Sequence, residues 1–164
     1  MTVVHPIALT KTVFWMDPET GECISQRKSN KKGKVIDILP ELYGLRQFLA
    51  NEKFRVCILL LNVNEYRILD GYGKEKKKRA TKLDRYPTAL IDEIYLENAE
   101  DYRRFLPDEL SGEFTSSDFR IAAKCDTFTA QRALNILSQL GILECTGRKG
   151  RQKAYMISDR TENS

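Results

Sequence analysis

The chain has 164 residues, of which 41% are hydrophobic and 30% are charged, and its formal net charge at pH 7 is +4. This length suits one large domain or two small ones, and the hydrophobic fraction is sufficient for a buried core. The mild positive charge is compatible with an anionic partner. The apolar residues 1–16 lack a basic head and are interrupted by His5, Pro6 and Lys11, so neither a signal peptide nor a membrane span is predicted.

The cysteines also limit the class of protein. Cys23, Cys57, Cys125 and Cys145 are widely spaced and form no Cys-x-x-Cys pair. Structural zinc sites use close pairs, and secreted disulfide frameworks use more cysteines in shorter chains. We therefore expect reduced thiols in a cytoplasmic protein that has no metal site. No cofactor and no membrane contact are expected either.

The first part of the chain predicts a β-hairpin and then a basic loop. Residues 7–15 are rich in β-branched and aromatic side chains, which favour a strand. Residues 17–21 combine Pro18 with Gly21, which is typical of a turn, and residues 22–26 can return as a second strand. The loop that follows carries the first group of secondary basic residues, Arg27, Lys28, Lys31, Lys32 and Lys34. It is either a solvated loop or one that binds an anion.

One helix and one central strand are predicted next. Residues 40–50 favour a helix that begins at Pro40, since proline is tolerated in the first turn. Its predicted buried side consists of Leu42, Leu45, Phe48 and Leu49. Residues 54–63 form an almost unbroken apolar run, which indicates a strand covered on both faces. Residues 65–69 either extend that strand or begin a short helix.

A turn at residues 70–73 leads into the densest positive stretch of the chain. This second basic group contains Lys76, Lys77, Lys78 and Arg79. Residues 82–86 and 89–96 predict two strands separated by Pro87. An acidic, partly helical segment and a short linker follow.

The C-terminal segment, residues 113–158, predicts two helices and a hairpin. Thr115 and its neighbouring serines can cap a first helix. Between residues 128 and 140, apolar residues recur at three- and four-residue spacing, which predicts a second helix with one buried face. Gly141 ends that helix, and residues 142–145 and 153–157 favour two strands joined by a basic loop.

This order of helix, tight turn, helix and basic hairpin resembles a winged-helix domain of the helix-turn-helix class. The resemblance implies that the second helix enters the DNA major groove and that the hairpin contacts the flanking backbone. With the apolar face inward, we expect the second helix to present Thr129, Gln131, Arg132 and Asn135, and also Gln139, to solvent. Gln131, Arg132 and Asn135 have the side chains that pair with base edges. Phosphate contacts are expected from Thr129, Arg148, Lys149, Arg151 and Lys153.

The predicted fold class is α+β. We expect a mixed α+β domain with a small sheet at residues 1–107, a linker at 108–112, a winged-helix domain at 113–158 and a disordered tail at 159–164. The first domain is similar to uncharacterised bacterial proteins of unknown activity. The similarity rests on segments such as LPELYGLRQFL at 39–49, EYRILDGYG at 65–73 and DRYPTALIDEIYL at 84–96.

The favoured hypothesis is a sequence-reading DNA-binding protein of bacterial or mobile-element type, with RNA as an alternative target. The N-terminal domain would add backbone contacts, form a homodimer or receive a signal. A second hypothesis is a non-catalytic adaptor that uses the winged helix for protein contact in a nucleoprotein assembly of defence or anti-defence type. Whether the basic loops share one face stays open.

An enzyme is the less favoured possibility. The chain has one histidine and lacks a phosphate-binding Gly-x-x-x-x-Gly-Lys motif, so nucleotide-dependent and His-based hydrolytic chemistry are not supported. A metal-dependent nuclease of restriction-endonuclease type is the one catalytic alternative, because the spacing of Glu65 and Arg67 places a carboxylate and a cation on one face of a strand. Asp37 and Asp70 are the alternative candidates for the second carboxylate.

Overall fold

The computed structural model describes residues 1–72 and 80–158. It confirms the α+β class, since helices accompany two separate sheets. The basic residues 76–79 and the predicted tail at 159–164 lie outside the described residues. Within the described part of the chain, no helix has the length and apolar character needed to cross a membrane.

The larger sheet has four strands in the order β2-β1-β3-β4. Their bounds are β1 Thr2–Met16, β2 Cys23–Lys28, β3 Arg55–Ile68 and β4 Thr81–Leu96. The hairpin of β1 and β2 is antiparallel, as predicted. Its turn forms because Asp17 Oδ1 accepts hydrogen bonds from the backbone N–H groups of Glu19 and Thr20, at 2.8 and 2.9 Å. Gly21 closes the turn at a φ of 71°, which glycine adopts without a steric penalty.

Strand β3 lies between β1 and β4, so its predicted central position is confirmed. The N–H of Arg55 donates to the carbonyl of Met1, and the N–H of Leu69 donates to the carbonyl of Met16, at 2.9 and 3.1 Å. Because matching ends of the two strands are joined, β1 and β3 run parallel. Glu65 continues the strand, which excludes the short helix considered for residues 65–69.

Two sequence predictions in this half of the chain are wrong in detail. Residues 81–96 form one strand rather than two, because Pro87 lies on β4 at the edge of the sheet, where a missing N–H is tolerated. The helix predicted for residues 40–50 is shorter. Helix α1 covers Leu39–Gly44, between 3₁₀ turns at Val35–Ile38 and Arg46–Phe48. After Gly44 the backbone changes to 3₁₀ geometry, since the Leu45 N–H donates to Leu42 O at 2.9 Å. Phe48, which was predicted to be buried, is 44% exposed.

The C-terminal half contains the predicted elements in the predicted order. A 3₁₀ helix at Ala99–Phe105 precedes β5 at Phe114–Thr115, α2 at Ser116–Ala122 and α3 at Thr127–Gln139. Strands β6, Leu143–Lys149, and β7, Gln152–Ile157, then form an antiparallel hairpin, and β5 pairs with the other side of β7.

Local side-chain chemistry explains where α2 and α3 begin and end. Thr115 and Asp118 cap α2 reciprocally, each side chain accepting a hydrogen bond from the other residue's backbone N–H. Asp126 caps α3 by accepting a bond from the Thr129 N–H at 2.8 Å. Gly141 ends α3 at a φ of 75°, as its position predicted.

The residues group into two compact units. The first contains residues 1–5, 36–57 and 95–158, and the second contains residues 6–35, 58–72 and 80–94. These units differ from the domains predicted from the sequence, because α1 packs against α3 although they are about ninety residues apart. The core of the first unit includes the inner face of α3. Leu42, Tyr102 and Phe119 also belong to this core, and each of these three residues is at most 2% exposed.

Candidate nucleic-acid interface

The outer face of α3 presents fewer of the predicted side chains than the helical pattern indicated. Gln131, Asn135 and Gln139 are exposed. The prediction that Thr129 faces solvent is wrong, since this residue is only 5% exposed and its hydroxyl donates to Asp126 Oδ2 at 3.1 Å. Thr129 belongs to the cap of α3 and is not available to a phosphate.

Arg132 is also engaged within the protein. Its Nη1 donates to the carbonyl oxygen of Pro40 at 3.1 Å, which joins α3 to α1. The guanidinium carbon lies 3.6 Å from the ring centroid of Phe128 and 4.8 Å from that of Tyr43. These distances are those of cation–π contacts. Arg132 therefore holds α1 on α3, and the predicted role in reading bases does not fit its position.

Gln139, at the other end of α3, makes a similar connection. Its Nε2 donates to the carbonyl oxygen of Arg46 at 3.3 Å. The guanidinium of Arg46 in turn lies 4.4 Å from the ring centroid of Tyr43. The sequence did not indicate any of these contacts, because nothing in it places α1 beside α3. Gln131 and Asn135 are the predicted base-reading residues that the structure leaves exposed.

The hairpin carries its cations as predicted. Its strands are paired from Leu143 and Ile157 to Lys149 and Gln152, so β6 extends further than the sequence indicated. Gly150, at a φ of 66°, allows the tight reversal at the tip. All four predicted phosphate-binding cations of the hairpin are exposed: Arg148, Lys149, Arg151 and Lys153.

A recess of about 250 Å³ connects this hairpin to α3 and the start of α2. Its lining combines Gln131 of α3 with Arg151 and Lys153 of the hairpin, and it is completed by Ser116, Leu134, Gln152 and Tyr155. Gln152 Nε2 donates to Ser117 Oγ at 2.8 Å, which ties β7 to α2. One exposed base-reading candidate and two phosphate-binding candidates therefore border the same recess.

A separate cluster surrounds Glu65 in the second unit. Its side chain is buried, and its carboxylate lies 2.6 Å from Arg67, 2.6 Å from Arg85 and 3.3 Å from Lys11. Burial alone would raise the pKa of Glu65, but the hydrogen bonds from Arg67 and Arg85 and the charge of Lys11 lower this pKa to about 2. Three strands meet here, since Lys11 is on β1, Glu65 and Arg67 on β3, and Arg85 on β4.

The contacts of Glu65, Arg67 and Asp70 do not resemble those of a nuclease metal site. Cations occupy both carboxylate oxygens of Glu65, so the carboxylate has no oxygen directed at a metal. Asp70 accepts a hydrogen bond from the N–H of Tyr72 at 3.1 Å, and its hydrogen bond with the Thr81 side chain lowers the pKa of its carboxyl. Across residues 1–72 and 80–158, no group of three or more His, Cys, Asp or Glu side chains is arranged to hold a metal ion. Glu65 and Arg67 thus form part of an internal ion-pair network.

The first basic group lies in the second unit. Arg27 and Lys28 end β2, and Lys31, Lys32 and Lys34 follow it on exposed chain. The second basic group, Lys76 to Arg79, lies in the segment that the structure does not describe.

Comparison with known proteins concerns mainly the N-terminal part. A family model described as a domain of unknown function, DUF8091, matches residues 1–97. These residues include the four-stranded sheet, α1 and the Glu65 cluster, whereas α2, α3 and the hairpin follow the matched range. No curated protein and no solved structure gives a significant match. Because the matched range exceeds half of the chain, the protein belongs to the DUF8091 family.

Proposed function

We propose that the protein binds double-stranded DNA through α3 and the β6–β7 hairpin, in the manner of a winged helix. In this arrangement α3 enters the major groove, and the hairpin follows the sugar–phosphate backbone. The observation that carries the proposal is the shared recess, where Gln131 of α3 lies beside Arg151 and Lys153 of the hairpin. Base-reading and phosphate-binding chemistry thus face the same space.

The exposed side chains of α3 suit base recognition. Gln131 and Asn135 are one helical turn apart, so they point to the same side of α3. The side-chain amides of glutamine and asparagine each offer a carbonyl acceptor and an NH2 donor group, which match N6 and N7 of adenine in the major groove. We assign base contacts to these two residues and exclude Arg132 and Thr129, whose side chains are engaged within the protein.

The hairpin suits phosphate binding. Arg148, Lys149, Arg151 and Lys153 are exposed on a projecting pair of strands, where each phosphate contact releases counterions from DNA. Duplex DNA fits this surface better than duplex RNA, because the major groove of A-form RNA is too narrow to admit a helix.

A salt titration with a matched control tests the proposal. The test variant carries Arg148→Ala and Arg151→Ala, and the control carries Lys53→Ala and Arg104→Ala, two exposed cations outside α3 and the hairpin. The test variant should bind duplex DNA more weakly, and its slope of log K against log salt should fall by about 2, since each lost phosphate contact reduces the slope by about 0.9. The control should retain the wild-type slope.

Two results would overturn the proposal. One is a wild-type protein that does not retard duplex DNA at low salt. The other is an equal loss of affinity in both variants, which would show a general effect of net charge rather than a contact made by the hairpin.

A further inference from the structure

We propose that the second unit holds a separate site for a small ligand with two linked phosphate groups, such as pyrophosphate or a nucleoside diphosphate. The site consists of two neighbouring depressions that share Lys11, which pairs with the buried Glu65. This proposal does not depend on DNA binding, because its residues belong to β1, β2, β3, β4 and the loop after β2.

The first depression has a volume of about 250 Å³, and three of the six described residues that line it are cations. Lys11, Arg27 and Arg67 border it, and Ser29 adds a hydroxyl group that can donate to a phosphate oxygen. Val13 and Trp15 complete the lining. Among the described residues that line it there is no carboxylate, so the side chains that border the depression carry a net positive charge.

The second depression has a volume of about 170 Å³ and lies between the strands and the basic loop. Lys11, Lys31 and Arg85 supply its charge, and Ala8 and Gly33 complete its lining. The N–H of Gly33 donates to the carbonyl of Ala8 at 3.0 Å. A Cβ atom at Gly33 would lie 2.4 Å from that carbonyl oxygen, so only glycine brings the loop carrying Lys31 this close to β1.

The charges around Glu65 do not cancel. Five cations border the two depressions, and among the described residues that line them there is no carboxylate. The buried Glu65 pairs with three of the five, Lys11, Arg67 and Arg85. The side chains of Lys11 and Arg67 are only 21% and 15% exposed, so water and salt screen their charges less than at an open surface. Glu65 also fixes the directions of Arg67 and Arg85, and a ligand therefore meets cations that are already oriented.

The shape of the site favours a small ligand. Each depression is large enough for one phosphate group, and Lys11 lies at both, where it can contact two linked phosphates at once. Lysine binds phosphate as a mobile point charge, while the planar guanidinium group of Arg27 can bind it through paired hydrogen bonds. A diphosphate carries two linked negative groups that match the two depressions, and it is much smaller than a nucleic-acid duplex.

Neighbouring pairs of cations provide a test with internal controls. Arg27 borders the first depression and Lys28 does not, and Lys31 borders the second whereas Lys32 does not. Binding of pyrophosphate and of ADP is measured by isothermal titration calorimetry at low salt. The test variants are Arg27→Gln and Lys31→Gln, and the controls are Lys28→Gln and Lys32→Gln. Each variant changes the net charge by one, and circular dichroism checks its fold. Lys11, Arg67 and Arg85 are left unchanged because they also hold Glu65.

Wild-type protein should bind both compounds. Arg27→Gln and Lys31→Gln should each weaken binding about tenfold, the loss expected for one charge-assisted hydrogen bond. Lys28→Gln and Lys32→Gln should stay within about twofold of wild type, since small changes are typical of surface substitutions outside a site. The Arg148→Ala and Arg151→Ala variant should bind both compounds normally, whether or not it binds DNA.

Three outcomes would overturn this proposal. The wild-type protein could fail to bind pyrophosphate and ADP at millimolar concentration, which would exclude the site. Test and control variants could lose affinity equally, which would show only general attraction of anions. A single-stranded oligonucleotide could bind in an Arg27-dependent manner while neither small compound binds, which would assign the surface to a nucleic-acid strand.

Discussion

Two groups of cations on this molecule differ in their surroundings. Around Glu65, Lys11 and Arg67 are largely buried and contact a carboxylate that is itself buried. On the β6–β7 hairpin, Arg148 and Arg151 are exposed near the tip. The first group is held in position by the fold, whereas the second is accessible to a large anion. Cations of the same charge are therefore tied to a buried carboxylate in one unit, and in the other they are available for the proposed contact with DNA.

Removing the charge of Glu65 should have the largest effect on stability. In Glu65→Gln, three cations lose the negative charge that they contact, and we expect a loss of about 3 kcal/mol in the free energy of unfolding, as for other broken buried ion pairs. Urea denaturation measures this loss, with the exposed Glu109→Gln as the control. If both variants unfold at the same urea concentration, the Glu65 cluster does not support the fold as described.

The same carboxylate should determine how stability depends on pH. The pKa of Glu65 is lowered from 4.5 to about 2, so the charged form stabilises the folded state above pH 4.5, and this contribution is lost as the pH falls towards 2. At about 1.4 kcal/mol per pKa unit, wild type should lose about 3 kcal/mol more than Glu65→Gln over this range. Parallel stability curves for the two proteins would contradict the assignment.

Neighbouring residues of α3 should separate recognition from packing. Gln131→Ala and Asn135→Ala should each reduce discrimination between DNA sequences by about 1–3 kcal/mol, with little change in stability. Arg132→Ala should instead cost about 1–2 kcal/mol of stability, because it removes the bond to Pro40 and the contacts with Phe128 and Tyr43. Binding to sequence pools and thermal unfolding measure these effects. Loss of base preference in Arg132→Ala alone would reverse the assignment.

The hairpin substitutions should have the smallest effect on stability. Arg148→Ala with Arg151→Ala should change the free energy of unfolding by less than about 0.5 kcal/mol, since exposed charges contribute little to a folded state. Thermal unfolding in the absence of DNA provides the measurement. A large loss would mean that these cations are structural, and the contrast with the Glu65 cluster would disappear.

Local patterns were sufficient for much of the fold. The spacing of apolar residues predicted α3 to within one residue at each end, and turn chemistry predicted the β1–β2 hairpin. The apolar run of β3 indicated its place between two strands. The helix and the hairpin depend on interactions between residues close in sequence. The burial of β3 is indicated by its unbroken run of apolar residues.

Two of the errors came from contacts between distant parts of the chain. Arg132 looked like a base-reading residue because its partner Pro40 is 92 positions away. Glu65 looked like a candidate metal ligand because Lys11 and Arg85 lie 54 and 20 positions from it. Thr129 is a different case, since its partner Asp126 is close in sequence. Thr129 lies three residues after Asp126, and this spacing was a signal that its hydroxyl could bond to the capping carboxylate.

The most direct test of DNA binding by α3 and the hairpin is a residue-by-residue comparison of backbone amide NMR signals with and without duplex DNA. The proposed function predicts the largest shifts at Gln131, Asn135 and residues 147–153, with the signals of Glu65 and Arg67 unchanged. Unchanged signals at α3 and the hairpin in DNA-saturated protein, or shifts confined to the four-stranded sheet, would contradict the proposed function.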